Sequence, residues 1–555
     1  MSGPPERTQP NGAAAEEPIT LREDAAWARC LRPARSVFAV LAALPVVLFL
    51  IAAIPRLRYP FPLEELEAPM LLAAERIAHG LPLYGPPDFH FIPYMYAPGY
   101  YYVSGWLLHW LPQGFFTLRL LSLVSTCLSF ALIAAMVLLE VPKPDGAARR
   151  PLRYGAALAA AGAYAAAYPW TRWWFDLGRV DSFYLCLFLL ALLGTRLTLH
   201  RLSPLIAALL WLFAFLAKQT ILPVGLAVLC SDWKRPRHAL AGVASLLVLA
   251  AASVLLLNHA TGGWFRFYVF SVPRANANLL LRPAVFYWPS VILAPYGVAV
   301  LIILLALVLT RPRWSDPRTR LYALAAGSSL GLCWFLQAHG GATSNTPMPA
   351  YAVIVLVFGI SLARLDSFFA GRGQSAARIL LLAAAALPLV CWSYRPGDIV
   401  PSQGLIDAHM RRVAWIRGFP GDVYVPEHPF EAIAAGKPWR PDAAALHDAL
   451  AALPADDRKA LIGRIQRTID DSQHMDAILL ENLPAAELQR LPWLPADLQQ
   501  RYPVLGFTPD ADMGDPFAPH AIYFLLPCRE LPVARQRGWV LLQNGCPPGI
   551  SMGNH

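Results

Sequence analysis

Charge is scarce in this sequence. Asp, Glu, Lys and Arg make up 15% of its 555 residues, where soluble chains carry about 25%. Hydrophobic residues take 56% and the mean hydropathy is +0.43. That balance excludes an ordinary soluble protein and leaves a polytopic membrane protein. Cysteine is sparse too: there are eight, with no CxxC and no Cys/His spacing suited to a metal. Five of them, Cys127, Cys186, Cys230, Cys333 and Cys391, fall inside apolar runs as small core residues. A basic patch is also missing. The formal charge of +10 is spread over short loops between apolar runs, so it reads as a topology signal and nucleic acid is not a partner. No repeated halves are present, and the middles of the apolar runs are nearly free of charge, which removes the usual frame of a transporter.

What the sequence does have is a series of apolar segments. The first is Ser36–Ile54, and others follow at about Thr117–Leu139, Tyr154–Tyr168, Val180–Thr195, Pro204–Ala217, Thr220–Ser231, Ala239–Leu257, Ala284–Thr310, Leu321–Gln337, Pro347–Ala363 and Ile379–Tyr394. These predict about eleven transmembrane helices in an α-helical polytopic domain, residues 36–394. The pair around Lys218 is short. Alternate connections are basic: the run from Lys143, Arg196 and Arg201, DWKRPR from Asp232, RPRWSDPRTR from Arg311, and Arg364, Arg372 and Arg378. The positive-inside rule assigns them to the cytoplasm. Residues 1–35 are polar and aperiodic and predict a disordered cytoplasmic tail ending in Arg29, Arg32 and Arg35. From residue 395 to 555 the composition is that of a soluble domain. Short β-like runs from Val423, Ala477, Tyr502 and Ala521 alternate with helical stretches, predicting an extracytoplasmic α/β domain. Cys528 and Cys546 lie together there, where disulfides persist, and are expected to pair.

The stretch Pro60–Trp110 sets the functional reading. It opens with Glu64, Glu65 and Glu67 a few residues after the first span, and acids so close to a bilayer are costly unless they have a role. Other polar residues at outward-facing ends are Arg76, Asp176, Arg179, Asp181, Lys218, Gln219, His259, Arg266, Arg274, His339 and Asn345. Together they predict a polar site at the outer surface of the membrane. Aromatic residues crowd the same side, among them Trp170, Trp173, Trp174, Trp264 and Phe265, and read as an interfacial belt.

Several motifs in order carry a resemblance. They are LEELEAP, the helix closing with Gly80-Leu81-Pro82-Leu83-Tyr84, YAPGYYY, Arg119 opening the second span, Arg179-Val180-Asp181-Ser182, Lys218-Gln219-Thr220 and GGATSNTPMP. The sequence over residues 36–394 resembles the GT-C superfamily of glycosyltransferases, nearest the branch of protein mannosyltransferases and aminoarabinose transferases. In that branch the acid of the first outer loop is usually an Asp-Glu or Glu-Gly pair before a helix that ends in Gly. Counting back from Gly80 favours Glu67, with Glu64 and Glu65 as alternatives; Ala68 stands where the family often has Glu or Gly.

The resemblance implies one carboxylate as general base on an acceptor and basic side chains on the phosphate of a polyprenyl-phosphate sugar donor. The leaving phosphate is stable as an anion, so a second carboxylate of the glycosidase kind is not required. Arg179 and Lys218, with Arg266 or Arg274, are the donor-phosphate ligands on this reading, and Asp181 orients Arg179 or holds a divalent metal. Tyr96, His339 and Asn345 support the site. The implied activity is transfer of a sugar, with inversion, to a lipid, protein or polysaccharide acceptor at the outer face of a bacterial inner membrane. A polysaccharide polymerase or ligase, a multi-pass transporter of envelope precursors, and a non-catalytic scaffold are the alternatives.

Overall fold

The computed structural model describes residues 19–141, 152–199, 203–339, 342–391 and 394–470. In the C-terminal region it describes 475–480, 491–495, 497–502, 504–507, 523–531, 535, 540–544 and 546. Residues 1–18 of the polar leader, most of the basic run from Lys143, Arg201, and the Gly340-Gly341 pair of the late loop lie outside these residues, while residues 19–35, expected to be disordered, form the start of the first helix.

Each of the eleven apolar segments is helical, as backbone groups without water partners require. In chain order the helices are α1 (Ile19–Arg56), α2 (Glu67–Ala78), α3 (Gly99–Leu107), α4 (Phe115–Glu140), α5 (Arg153–Ala165) and α6 (Val180–Thr198). Then come α7 (Pro204–Ala217), α8 (Gln219–Asp232), α9 (Pro236–Ala260), α10 (Leu281–Thr310), α11 (Pro317–Gln337), α12 (Met348–Ala370) and α13 (Ser375–Val390). Six of them, α1, α4, α6, α9, α10 and α12, are long and apolar enough to cross a membrane. Helices α2 and α3 belong to the connection after α1.

Packing sorts the helices by their neighbours. Helices α6 and α12 are the most enclosed, whereas α9 leaves most of its apolar surface open. Large apolar side chains such as Val40, Leu255 and Val308 face outward, where lipid covers them. Helix α1 packs on α5 and α13, α4 on α5 and α6, and α10 on α12. The α1–α5 crossing depends on Gly162, since a Cβ there would meet the Ala42 carbonyl oxygen at 2.0 Å. Small residues permit this approach in membranes, where van der Waals contact holds helices together. At 14 residues, α7 is about 21 Å long and falls short of a ~30 Å hydrocarbon layer. The turn between α7 and α8 therefore leaves Lys218 recessed in the protein, where it needs a counter-charge.

The C-terminal α/β domain is built on a five-stranded sheet, with β1 (Asp422–Tyr424), β2 (Met475–Leu480), β3 (Val504–Phe507), β4 (Tyr523–Leu526) and β5 (Val540–Asn544). Their spatial order is β1-β2-β4-β3-β5. Strands β1 and β2 are parallel, joined through the helices Ala443–Ala452 and Ala455–Asp470, and the other pairs are antiparallel. Cys528 and Cys546 are joined by a disulfide after β4 and β5. Aromatic contacts seat this domain on the connection after α1 and on the start of α4. His409 stacks on Phe61 at 4.5 Å, Tyr424 meets Phe89 at 5.0 Å, and Phe430 meets Phe115 at 4.8 Å.

Candidate active site

Glu64 and Glu67 are three residues apart and have different surroundings. Glu67 starts α2 and is fully buried. Its Oε1 accepts from Arg119 Nε at 3.1 Å and from the Gly178 N–H at 2.5 Å; its Oε2 accepts from Arg119 Nη2 at 2.7 Å and from the Leu63 N–H at 2.6 Å. Arg119 also donates to the carbonyls of Arg56, Tyr59 and Phe61. This closed clamp fastens the chain leaving α1 to α4. Gly178 is needed for it, because a Cβ there would lie 2.9 Å from the Leu118 Cβ and 3.3 Å from Glu67 Oε1. Burial alone would raise the Glu67 pKa, but the Arg119 charge and the donated hydrogen bonds hold it below the usual range. A carboxylate with four donors and no exposure has no room for an incoming nucleophile.

Glu64 is placed differently. Its side chain keeps 20% exposure and its Oε2 receives Arg179 Nη1 at 2.6 Å. Burial holds this carboxyl above the ordinary range, against the pull of Arg179. Arg179 Nη2 donates to the Tyr96 hydroxyl at 3.1 Å, and its guanidinium sits over Trp174. Beside this pair lies a second one: Lys218 Nζ is 2.7 Å from Asp181 Oδ1 and also lies over the Tyr96 ring. Asp181 Oδ2 accepts from Trp174 Nε1 at 2.8 Å, and the Asn345 side chain lies close to the same carboxylate. The structure thus brings together Glu64, Tyr96, Arg179, Asp181, Lys218 and Asn345 from five separated places in the chain. Gln219, next to Lys218, staples the connection by donating to the carbonyls of Met95 and Val269.

Other residues singled out in the sequence lie elsewhere. Arg266 and Arg274 are exposed and line neither cavity that Glu64 borders. His339 bonds the Phe335 carbonyl at 2.6 Å through Nδ1. Asp181 meets Lys218 rather than clasping Arg179, and both its oxygens are taken, which does not suit a metal ligand. Among the described residues no group of three His, Cys, Asp or Glu side chains is arranged to hold a metal ion.

Glu64 borders two cavities. One, of about 360 Å³, lies among the helices and is lined by Glu64, Trp170, Arg172, Trp174, Gln337 and Tyr351 along with small residues of the 342–347 turn. The other, of about 290 Å³, lies between Glu64, Glu65 and the C-terminal domain. Reading the sequence as an aromatic belt missed Arg172. Arg172 is exposed, and it and Trp173 adopt left-handed backbone angles, φ 48° and 65°. Two such residues in succession are costly for side chains with a Cβ, and such strain gathers at functional turns. The signal available beforehand was an arginine set among three tryptophans just before the Asp176–Asp181 turn.

No protein-family model matches the chain, and no curated protein matches it. Solved structures do. Crystal structures of ArnT from Cupriavidus metallidurans, one bound to undecaprenyl phosphate and one in the apo state, each superpose with a TM-score of 0.55 at 12% identity. Each match covers 87% of this chain and 97% of the other. The chain therefore shares the fold of these ArnT structures over 87% of its length.

Proposed function

We propose that this protein is an integral membrane glycosyltransferase that moves a sugar, with inversion, from a polyprenyl-phosphate donor to a cell-envelope acceptor at the outer face of the inner membrane. The observation that carries the reading is Glu64, held by Arg179 on the wall shared by two cavities, one of which also holds Arg172. The fold supports it, since ArnT of this architecture has been crystallised with undecaprenyl phosphate.

In this mechanism Glu64, not Glu67, is the base. An acceptor hydroxyl or amine gives its proton to Glu64 as its oxygen or nitrogen bonds to the sugar C1. The C1–O bond to phosphate breaks, and the polyprenyl phosphate leaves with the electron pair. A carboxylate with a raised pKa suits this transfer better than one locked as an anion. Arg172, exposed in the cavity among the helices, is placed to receive the phosphate charge. Arg179 and Lys218 act from behind: Arg179 fixes Glu64 and Tyr96, while Lys218 holds Asp181, which in turn holds the cavity-lining Trp174. Glu65 stays at the rim. The polar leader of residues 1–35 is cytoplasmic on this reading, the helical domain spans residues 36–394, and the C-terminal domain of residues 395–555 is extracytoplasmic.

The test is mass spectrometry of envelope glycans from cells carrying Glu64→Gln, with undecaprenyl phosphate binding measured on the purified variant. Loss of one sugar with binding retained is the expected result, a fall in transfer of at least about 100-fold. Unchanged glycans at normal expression overturn the assignment.

A further inference from the structure

The smaller of the two cavities joins the first connection to the C-terminal domain, and its chemistry identifies an occupant. Glu64 and Glu65 form one wall, while His409, Arg412, His428 and Glu431 come from the domain. Glu431 is almost fully buried. Its Oε1 meets Arg412 Nη1 at 2.7 Å and His409 Nδ1 at 3.1 Å, yet its buried Oε2 has no hydrogen-bond partner. A buried carboxylate oxygen left unpaired is costly, and a donor arriving in the cavity would satisfy it. Phe430, fixed against Phe115 and Phe61, supplies an apolar face beside these polar groups.

Charge narrows the class. Of the three carboxylates in the walls, Glu64 is paired with Arg179 and Glu431 with Arg412, which leaves Glu65 as the charge in excess. A phosphate or carboxylate brought here would face more negative charge than positive. Hydroxyl groups suit the lining: they donate to carboxylate oxygens and accept from imidazole N–H, and a sugar ring has an apolar face for Phe430. Glu64 lines this cavity and also the cavity that holds Arg172.

We infer that the C-terminal domain builds the acceptor subsite, and that the acceptor presents an uncharged, polyhydroxylated sugar to Glu64 through the cavity between Glu65 and Phe430. This rests on the transferase reading and adds to it a class of acceptor and a task for the domain.

The test uses the full-length protein in nanodiscs and saturation-transfer NMR with two sets of probes, neutral methyl glycosides and the matching sugar 6-phosphates. Binding of undecaprenyl phosphate is measured in parallel. Neutral glycosides are expected to give signals, weakened about tenfold in affinity by Glu65→Lys and by Phe430→Ala. Undecaprenyl phosphate binding should be unchanged in both variants, which also shows that they are folded. The inference is overturned if sugar phosphates bind better than neutral glycosides, if neither variant alters the glycoside signal, or if both variants lose undecaprenyl phosphate as well. A wild-type protein that binds glycosides in this cavity but not undecaprenyl phosphate would defeat the donor assignment and leave the glycoside subsite standing.

Discussion

Arg179 Nη1 lies 2.6 Å from Glu64 Oε2, and the pair joins the start of α6 to the connection after α1 across 115 residues of sequence. Its counterpart, Arg119 with Glu67, does the same for α4, but without solvent. Two Arg–Glu pairs with similar distances therefore have different potential. The enclosed pair has spent every donor and acceptor on protein, whereas Glu64 keeps an open side toward substrate-sized space.

Exchanging the two acids for glutamine should separate these roles. Glu67→Gln leaves Arg119 buried without its anion, which typically costs about 3–5 kcal/mol, so this variant should be poorly expressed or melt early. Glu64→Gln also takes the anion from a buried arginine, Arg179, but removes one ion pair at a half-open carboxylate rather than a four-donor clamp, so it should melt later than Glu67→Gln while losing transfer. Thermal denaturation of both variants in detergent, run beside a glycan assay, checks the contrast. Equal melting of the two would remove the distinction between clamp and base.

The acid side of the activity profile should report Glu64. Burial raises its pKa, so the deprotonated, base-competent form is lost at a higher pH than an ordinary glutamate would allow. Arg179 opposes that shift, and Arg179→Met should move the acid limb of kcat further up in pH. Stability should respond in the opposite sense at Glu67. Its folded pKa is depressed, so its contribution is complete above the unfolded value and fades as pH falls through the folded one. An acid limb at the same pH in the parent and in Arg179→Met would argue against Glu64 as the titrating base.

How much of this was legible beforehand follows from the range of each interaction. The eleven helices were readable because each is a local apolar run, and four of the five strands because β-rich runs stood out in a polar region. Strand β5 was not, since VLLQN is short and partly polar. Choosing among the three acids was beyond reach. Counting back from Gly80 measures spacing along α2, whereas enclosure of Glu67 depends on Arg119, 52 residues away, and on Gly178, 111 residues away. The partner of Asp181 was misjudged for a similar reason: the adjacent arginine was the obvious mate, but the short α7 leaves Lys218 recessed and in need of an anion. The cavity shared with the C-terminal domain had no signal at all in the linear sequence.

The disulfide gives a separate handle on orientation. Cys528 and Cys546 close an 18-residue interval, and such a loop typically adds about 3 kcal/mol to stability. In a background lacking the exposed Cys30, Cys230 and Cys391, a membrane-impermeant thiol reagent applied to intact spheroplasts should label the protein only after reduction. Labelling without reduction would argue against the bond in cells. Labelling only after the membrane is broken would place the domain on the cytoplasmic side and displace the outward-facing site.

Arg172 allows stability and binding to be driven in opposite directions. Its φ of 48° is a left-handed angle that glycine adopts without the Cβ clash. Arg172→Gly should therefore leave melting unchanged or raise it slightly, because the relief of strain competes with the greater entropy of an unfolded glycine. The same variant deletes an exposed cation in the cavity that holds Glu64. A charge-assisted contact to phosphate is worth about 1.5–3 kcal/mol, so undecaprenyl phosphate affinity should fall about 10- to 100-fold. Arg172→Lys should recover part of that affinity without relieving the backbone, since a point charge replaces a bidentate fork. Fluorescence titration with undecaprenyl phosphate and thermal melting on the same three proteins decide the matter. If affinity holds in Arg172→Gly, the phosphate is received elsewhere, and the strained turn has only a structural part in the cavity.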